Sequence, residues 1–198
     1  MKVTLIDKNT NGIKTIIDAL SLCRDKQCTE ETINQCLTAK PVPHLSALEF
    51  CWFCFLIEGV SVKTRIQQLR HRHFSTMERS TRAIDLSDSV PVIPPTTLLS
   101  DLYLYCYRQS IDNYVDIIDG QTREDASYVL PLGIETKFVL AGNGRVWYEY
   151  FQKRLCKKYV QAEHYRLADE LYIQLVGEIP QFMYAHPCQY CGQCAKGQ

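Results

Sequence analysis

Apolar and polar positions alternate through Met1-Lys-Val-Thr-Leu-Ile-Asp7 and predict an opening strand. Apolar residues then return at helical intervals over Asn11 to Arg24 and Thr29 to Leu37. The second of these segments starts on Thr29-Glu-Glu, which suits a helix N-terminus. Ser46 and Glu49 stand at capping-box spacing just ahead of Phe50-Cys-Trp-Phe-Cys-Phe-Leu-Ile57. That run is unbroken, aromatic and too short for a typical helix, so it predicts a buried strand ended by Glu58-Gly59. With Ser61 as cap, Val62, Ile66 and Leu69 predict a short amphipathic helix. The longest helix is expected over Thr97 to Ile118, another short one over Thr122 to Leu130 before Pro131, and a strand over Ile134 to Ala141. Two further helices follow, Asn143 to Arg154 and Val160 to Val176. The proline-rich Val90-Pro-Val-Ile-Pro-Pro95 reads as a flexible loop. Strands mixed with helices in no regular alternation predict an α+β layer architecture.

Composition narrows the partners. With 198 residues and 46% apolar content the chain fills the core of a single domain over 1–198, ending in a Cys-rich tail at 186–198. Lysine plus arginine and aspartate plus glutamate both number 22, so no overall field draws nucleic acid or a membrane surface. Any anion site is local. The longest apolar run falls far short of the roughly 20 residues that span a bilayer. Met1 leads straight into the first strand without a signal peptide, so the ten cysteines read as reduced thiols of a cytoplasmic protein.

The local exception to neutrality is Arg70-His-Arg-His-Phe-Ser-Thr-Met-Glu-Arg-Ser-Thr-Arg82, which starts where the short amphipathic helix ends. A solvated basic edge is one reading. The other is an anion cradle, in which planar guanidinium forks, hydroxyls and backbone amides hold phosphate, as on a nucleotide. Glu78 adds an acceptor for a ribose hydroxyl or for a neighbouring arginine. Gln67-Gln68 stand within one helical turn of Arg70, near enough to reach the same ligand or to be ordinary exposed helix residues. Asn143 and Arg154 lie eleven residues apart, about three turns, on one side of a predicted helix. The tail His186-Pro-Cys188-Gln-Tyr-Cys191-Gly-Gln-Cys194 has spacings compatible with zinc, but it lacks a second, distant ligand pair and no metal is expected.

Together these segments resemble the flavin-dependent thymidylate synthases. Their signature is Arg-His-Arg, seven residues, then serine, and Arg70-His71-Arg72 is followed after seven residues by Ser80. His44-Leu-Ser-Ala-Leu-Glu49, Phe53-Cys-Phe55, Ile57-Glu-Gly-Val-Ser61 and Gln67-Gln-Leu-Arg-His-Arg72 resemble the family's approach to that signature. Leu130-Pro131, Asn143-Gly-Arg145, Phe151-Gln-Lys-Arg-Leu-Cys156 and Gln161-Ala-Glu163 with Leu167-Ala168 follow in family order. The likeness covers nearly the whole chain.

The resemblance implies helices packed on an antiparallel-type sheet, assembled as a homotetramer whose active sites draw on several subunits. It implies reductive methylation of dUMP to dTMP, with methylenetetrahydrofolate as carbon donor, FAD as cofactor and NADPH as reductant. By position, Ser46, Arg70, His71, Arg72, Glu78, Asn143 and Arg145 would contact FAD, and Gln67, Arg70, Glu78, Ser80, Arg82 and Arg154 would hold the nucleotide. Arg154 would be catalytic, facing the uracil, and His44 would lie beside the flavin where folate stacks. The chain departs from the family pattern at Met77, Ala83 and Glu149, and carries Ser127 where an arginine normally reaches the dUMP phosphate; Arg123 stands near it in sequence. A relative using the same flavin and folate chemistry on another pyrimidine nucleotide, and a flavin-binding homologue without turnover, are the alternative readings.

Overall fold

In the computed structural model, residues 1–39 and 42–185 are described; the cysteine-rich tail and its zinc-like spacing lie outside them. The strands are β1 (Lys2–Lys8), β2 (Trp52–Ser61), β3 (Ser75–Glu78) and β4 (Glu135–Asn143). They form one sheet in the order β1-β2-β4-β3, with every neighbouring pair antiparallel. The helices are α1 (Gly12–Arg24), α2 (Glu30–Thr38), α3 (Val62–Gln68), α4 (Ser100–Ile118), α5 (Arg123–Ala126), α6 (Gly144–Arg154) and α7 (Ala162–Glu178), with 3-10 turns at Leu45–Phe50, Ser127–Val129 and Pro180–Ala185.

Alternation along β2 sends Phe53, Phe55 and Ile57 to one face of the sheet, where Phe138 and Leu140 of β4 join them. Ile16 and Leu20 of α1, Ile33 and Leu37 of α2, Trp147 and Phe151 of α6, and Leu167, Leu171 and Leu175 of α7 close over that face. A smaller cluster of Leu86, Tyr107, Ile111, Tyr114, Ala126 and Ile134 joins α4 and α5 to the body.

Three features differ from the sequence expectation. Strand β2 does not end at Glu58-Gly59: it passes through a bulge between Glu58 and Val60 and continues to Ser61. Gly59 takes φ +71°, and a Cβ there would come within 2.9 Å of the Met1 nitrogen, so the bulge needs glycine. The proline-rich stretch is tied down, because Pro91 bridges Ile134, Val92 N donates to Gly133 O and Glu135 N donates to Val90 O. The basic stretch contains strand β3, paired with β4 from Ser75↔Ala141 to Glu78↔Phe138. Its apolar signal was absent, since Met77 is 77% exposed on an edge strand.

Candidate active site

The site grows from the β2–α3 junction. Ser61 caps α3 by accepting from Thr64 N at 3.1 Å, and its own N and Oγ donate to the two carboxylate oxygens of Glu163 at 2.7 and 2.6 Å. Glu163 is thus a buried carboxylate satisfied by two donors, which fixes the first turn of α7 against α3. Gln67 and Gln68 close α3, and neither is an exposed helix residue: Gln67 is half-buried and Gln68 fully so.

Beyond α3 the chain tightens into a turn, with His71 N donating to Gln68 O and Phe74 N to His71 O. Phe74 anchors it, its ring edge-on to Trp147 at 4.5 Å and to Tyr150 at 5.7 Å on α6. With Phe74 held inward, Arg70, Arg72 and His73 face outward, while His71 turns in and meets Tyr150 edge to face at 4.9 Å.

Arg154, the last residue of α6, donates from Nε to His71 Nε2 at 2.7 Å. His71 therefore accepts at Nε2 and is neutral, with its proton on Nδ1. Burial first, then the charges of Arg154 and Lys153, push its pKa down to about 4. The imidazole orients the guanidinium and leaves the positive charge on Arg154. A cavity of about 430 Å³ opens against Lys153, Arg154, Tyr159 and Val160.

The other predicted residues sort by their place on the sheet and on α6. Asn143 caps α6 through Val146 N at 3.1 Å, and Arg145 is held by Glu49 at 2.7 Å and Glu149 at 3.0 Å, hydrogen bonds that raise its pKa. Gly144 between them admits no side chain, because a Cβ would overlap Cys51 Sγ and come within 2.7 Å of Leu48 O. Exposed Ser46 lies on the same 3-10 turn as Glu49, and His44 precedes it at φ 53°, its Nδ1 3.6 Å from Cys23 Sγ. This group sits at the start of α6 and Arg154 at its end, about 16 Å apart along the axis at 1.5 Å per residue. On the β3 side, Glu78 pairs with Arg65, Ser80 Oγ accepts from Arg82 N at 3.2 Å, and Arg82 pairs with Glu124 of α5 at 2.8 Å. Arg123 lies 3.8 Å from Asp85, one turn before Ser127, whose hydroxyl donates to Glu124 O.

The fold thus joins Gln67, His71 and Arg154 and leaves Asn143 and Arg145 at the far end of α6. It also brings in Gln161 and His164, to which the sequence assigned no role, and Gln68, which the sequence offered as a ligand contact or an ordinary exposed helix residue. Gln67 Nε2 donates to Gln161 Oε1 at 2.8 Å, and the two ring nitrogens of His164 lie 3.2 Å from Gln67 Oε1 and Gln68 Oε1. A signal for His164 was present, since it stands at helical spacing with Leu167, Ala168, Leu171 and Leu175 on the buried stripe of α7. A histidine on such a stripe demands partners.

The family described as thymidylate synthase complementing protein matches residues 4–181. The chain belongs to the flavin-dependent thymidylate synthases. A synthase of this name from Sulfurisphaera tokodaii is 30% identical over 172 residues, covering 80% of this chain and 67% of the relative. That of Clostridium tetani is 28% identical over 228 residues, covering 100% of this chain and 91% of the relative. A crystal structure of thymidylate synthase X from Helicobacter pylori with FAD and dUMP superposes with a TM-score of 0.77 at 19% identity, covering 93% of this chain and 97% of that one. The fold is shared. Family members are enzymes.

Proposed function

We propose that this chain converts dUMP to dTMP by reductive methylation, with methylenetetrahydrofolate as carbon donor, FAD as cofactor and NADPH as reductant. The observation that carries the reading is the guanidinium of Arg154, oriented at the edge of a cavity by neutral His71, whose ring packs edge-on to the His164 that meets Gln67. A cation fixed there stabilises negative charge developing on a pyrimidine ring and makes its carbon 5 more nucleophilic. Gln67 orients the ring, and Arg82 and Ser80, on the exit of β3, offer donors to the nucleotide.

The donor set fits a flavin dinucleotide. In a chain without net charge, Arg65, Arg82, Arg123 and Arg145 each have a carboxylate partner, whereas Arg70 and Arg72 are exposed and pair with no carboxylate among the described residues. Guanidinium groups without counter-ions suit a pyrophosphate. Asn143, Arg145, His71, Ser46 and Glu78 complete the proposed FAD contacts, with His44 at the folate side. Bound there, FAD supplies the hydride and the folate supplies the carbon. Ser80 is assigned to binding, because its hydroxyl is engaged with Arg82 N and, among the described residues, no base accompanies it. The working form is a homotetramer in a reducing cytoplasm, a setting supported by seven cysteines that are free thiols among the described residues.

One observation favours a second nucleotide. Ser127, where the family pattern has a phosphate-binding arginine, spends its hydroxyl on Glu124 O. A charge-assisted hydrogen bond lost there costs roughly 1.5–3 kcal/mol unless Arg123 substitutes. A nucleotide panel decides. With NADPH and methylenetetrahydrofolate, yellow protein that releases FAD on denaturation yields dTMP from dUMP. Turnover of another pyrimidine nucleotide but not dUMP establishes the second reading, and FAD binding with no turnover establishes a non-catalytic homologue.

A further inference from the structure

His164 and Gln68 are the buried polar side chains beside Arg154 that the reaction above leaves unused. Both are inaccessible, at 0% and 1% exposure. A buried imidazole among leucines is tolerated when both ring nitrogens find partners, and here each faces a glutamine amide at 3.2 Å. A neutral imidazole has one donor and one acceptor, so one of the two amides must turn its NH2 to the ring.

The partners identify which. Gln67 Nε2 already donates to Gln161 Oε1 at 2.8 Å, whereas Gln68 Nε2 is buried without a partner. Turning the Gln68 carboxamide over gives that nitrogen the ring as acceptor and leaves a bare carbonyl oxygen, the less costly of the two orphans. The proton then sits on Nδ1 and is donated to Gln67 Oε1. Protonating the second nitrogen is opposed by burial first, then by Arg154 and His71, which together push the pKa of His164 down to about 3.

Gln67 is left with a fixed polarity. Its oxygen accepts from His164, one amide hydrogen goes to Gln161, and the other hydrogen remains to be offered. We propose that His164 is a positioning residue that locks the Gln67 carboxamide donor-side outward, so that the site accepts a pyrimidine presenting a carbonyl oxygen, as uracil does, and rejects one presenting an exocyclic amino group, as cytosine does. This rests on the reading that Gln67 touches the pyrimidine. A site built to donate loses affinity for an analogue that also donates, because its own hydrogen is left unpaired.

The test is calorimetric titration of the FAD-loaded protein with dUMP and with dCMP, alongside KM, kcat and FAD affinity. His164→Phe keeps the ring shape and removes both hydrogen bonds; the dUMP-to-dCMP affinity ratio is expected to fall about tenfold, with KM for dUMP rising more than kcat falls. His164→Asn, which keeps a donor near the Nδ1 position, is expected to recover most of the ratio. An unchanged ratio in folded His164→Phe overturns the proposal. Gln67→Ala separates the two levels of argument: unchanged dUMP affinity removes Gln67 from the pyrimidine site and overturns both, whereas lost dUMP affinity with an unaltered ratio in His164→Phe overturns the positioning role alone. Independently of any variant's stability, nitrogen NMR of the unmodified protein at pH 7 is expected to show His164 neutral with its proton on Nδ1. A proton on Nε2, or an imidazolium, overturns the proposal.

Discussion

At the scale of single residues, chemistry depends on which side chain keeps its charge. Arg154 does, because its neighbour His71 accepts a hydrogen bond and is held neutral. Arg154→Ala is expected to lower kcat about 100-fold, the loss typical of removing one donor aimed at developing charge, while FAD affinity changes little; flavin fluorescence beside steady-state rates measures both. Equal losses of turnover and FAD affinity would contradict that role. The two depressed histidines also set an acid limit. An unfolded chain takes up protons near pH 6.5, whereas the folded chain leaves His71 neutral to about 4 and His164 to about 3. The unfolded state therefore binds more protons in that window, so stability holds above about pH 6.5, falls as pH drops through it and levels off below the folded values. The melting temperature of His164→Asn is expected to fall less steeply between pH 6.5 and 4 than that of the parent. Of these residues the sequence made Arg154 and His71 visible through their motifs. For His164 the sequence carried only its place on the apolar stripe of α7, which demands partners without naming the two amides that supply them.

At the scale of elements, junctions position the site. Glu163 accepts from both Ser61 N and Ser61 Oγ and so sets where α7 meets α3, which decides that the next residue, His164, reaches Gln67. Glu163→Gln exchanges an acceptor for a donor in a buried setting and is expected to cost about 1–3 kcal/mol in chemical denaturation. Helices α1 to α4, α6 and α7 were legible within a few residues because their periodicity and caps are local, as at Ser61 and Asn143. Strand β3 was not, because an edge strand buries one side at most and its pairing with β4 supplies what its sequence lacks. The bulge at Gly59 was misread for a related reason: a glycine that ends a strand and one that bends it carry the same local signal.

At the scale of the whole molecule, one chain leaves apolar surface uncovered. Leu98, Leu99, Leu102 and Tyr105 are 97%, 65%, 56% and 62% exposed around the start of α4, and Tyr128 is 87% exposed near α5. Exposed apolar side chains at this spacing suit coverage by another chain in the proposed homotetramer. With the proposed homotetramer, sedimentation is expected to give four chains per particle, and Leu102→Glu is expected to shift it toward smaller species with weaker FAD binding. A monomer that binds FAD and turns over fully would remove the assembly from the mechanism.

The sequence by itself determined the order of the helices and of the strands other than β3, the α+β class, the family likeness and most of the charged groups, because capping, periodicity and motif spacing are written within a few residues of one another. The tertiary structure alone decided that Arg154 meets His71 across 83 positions, that Gln67 meets His164 across 97, and that β3 exists. Those outcomes depend on how α6 and α7 pack beside α3, and packing is settled by the summed burial of distant side chains rather than by any local pattern.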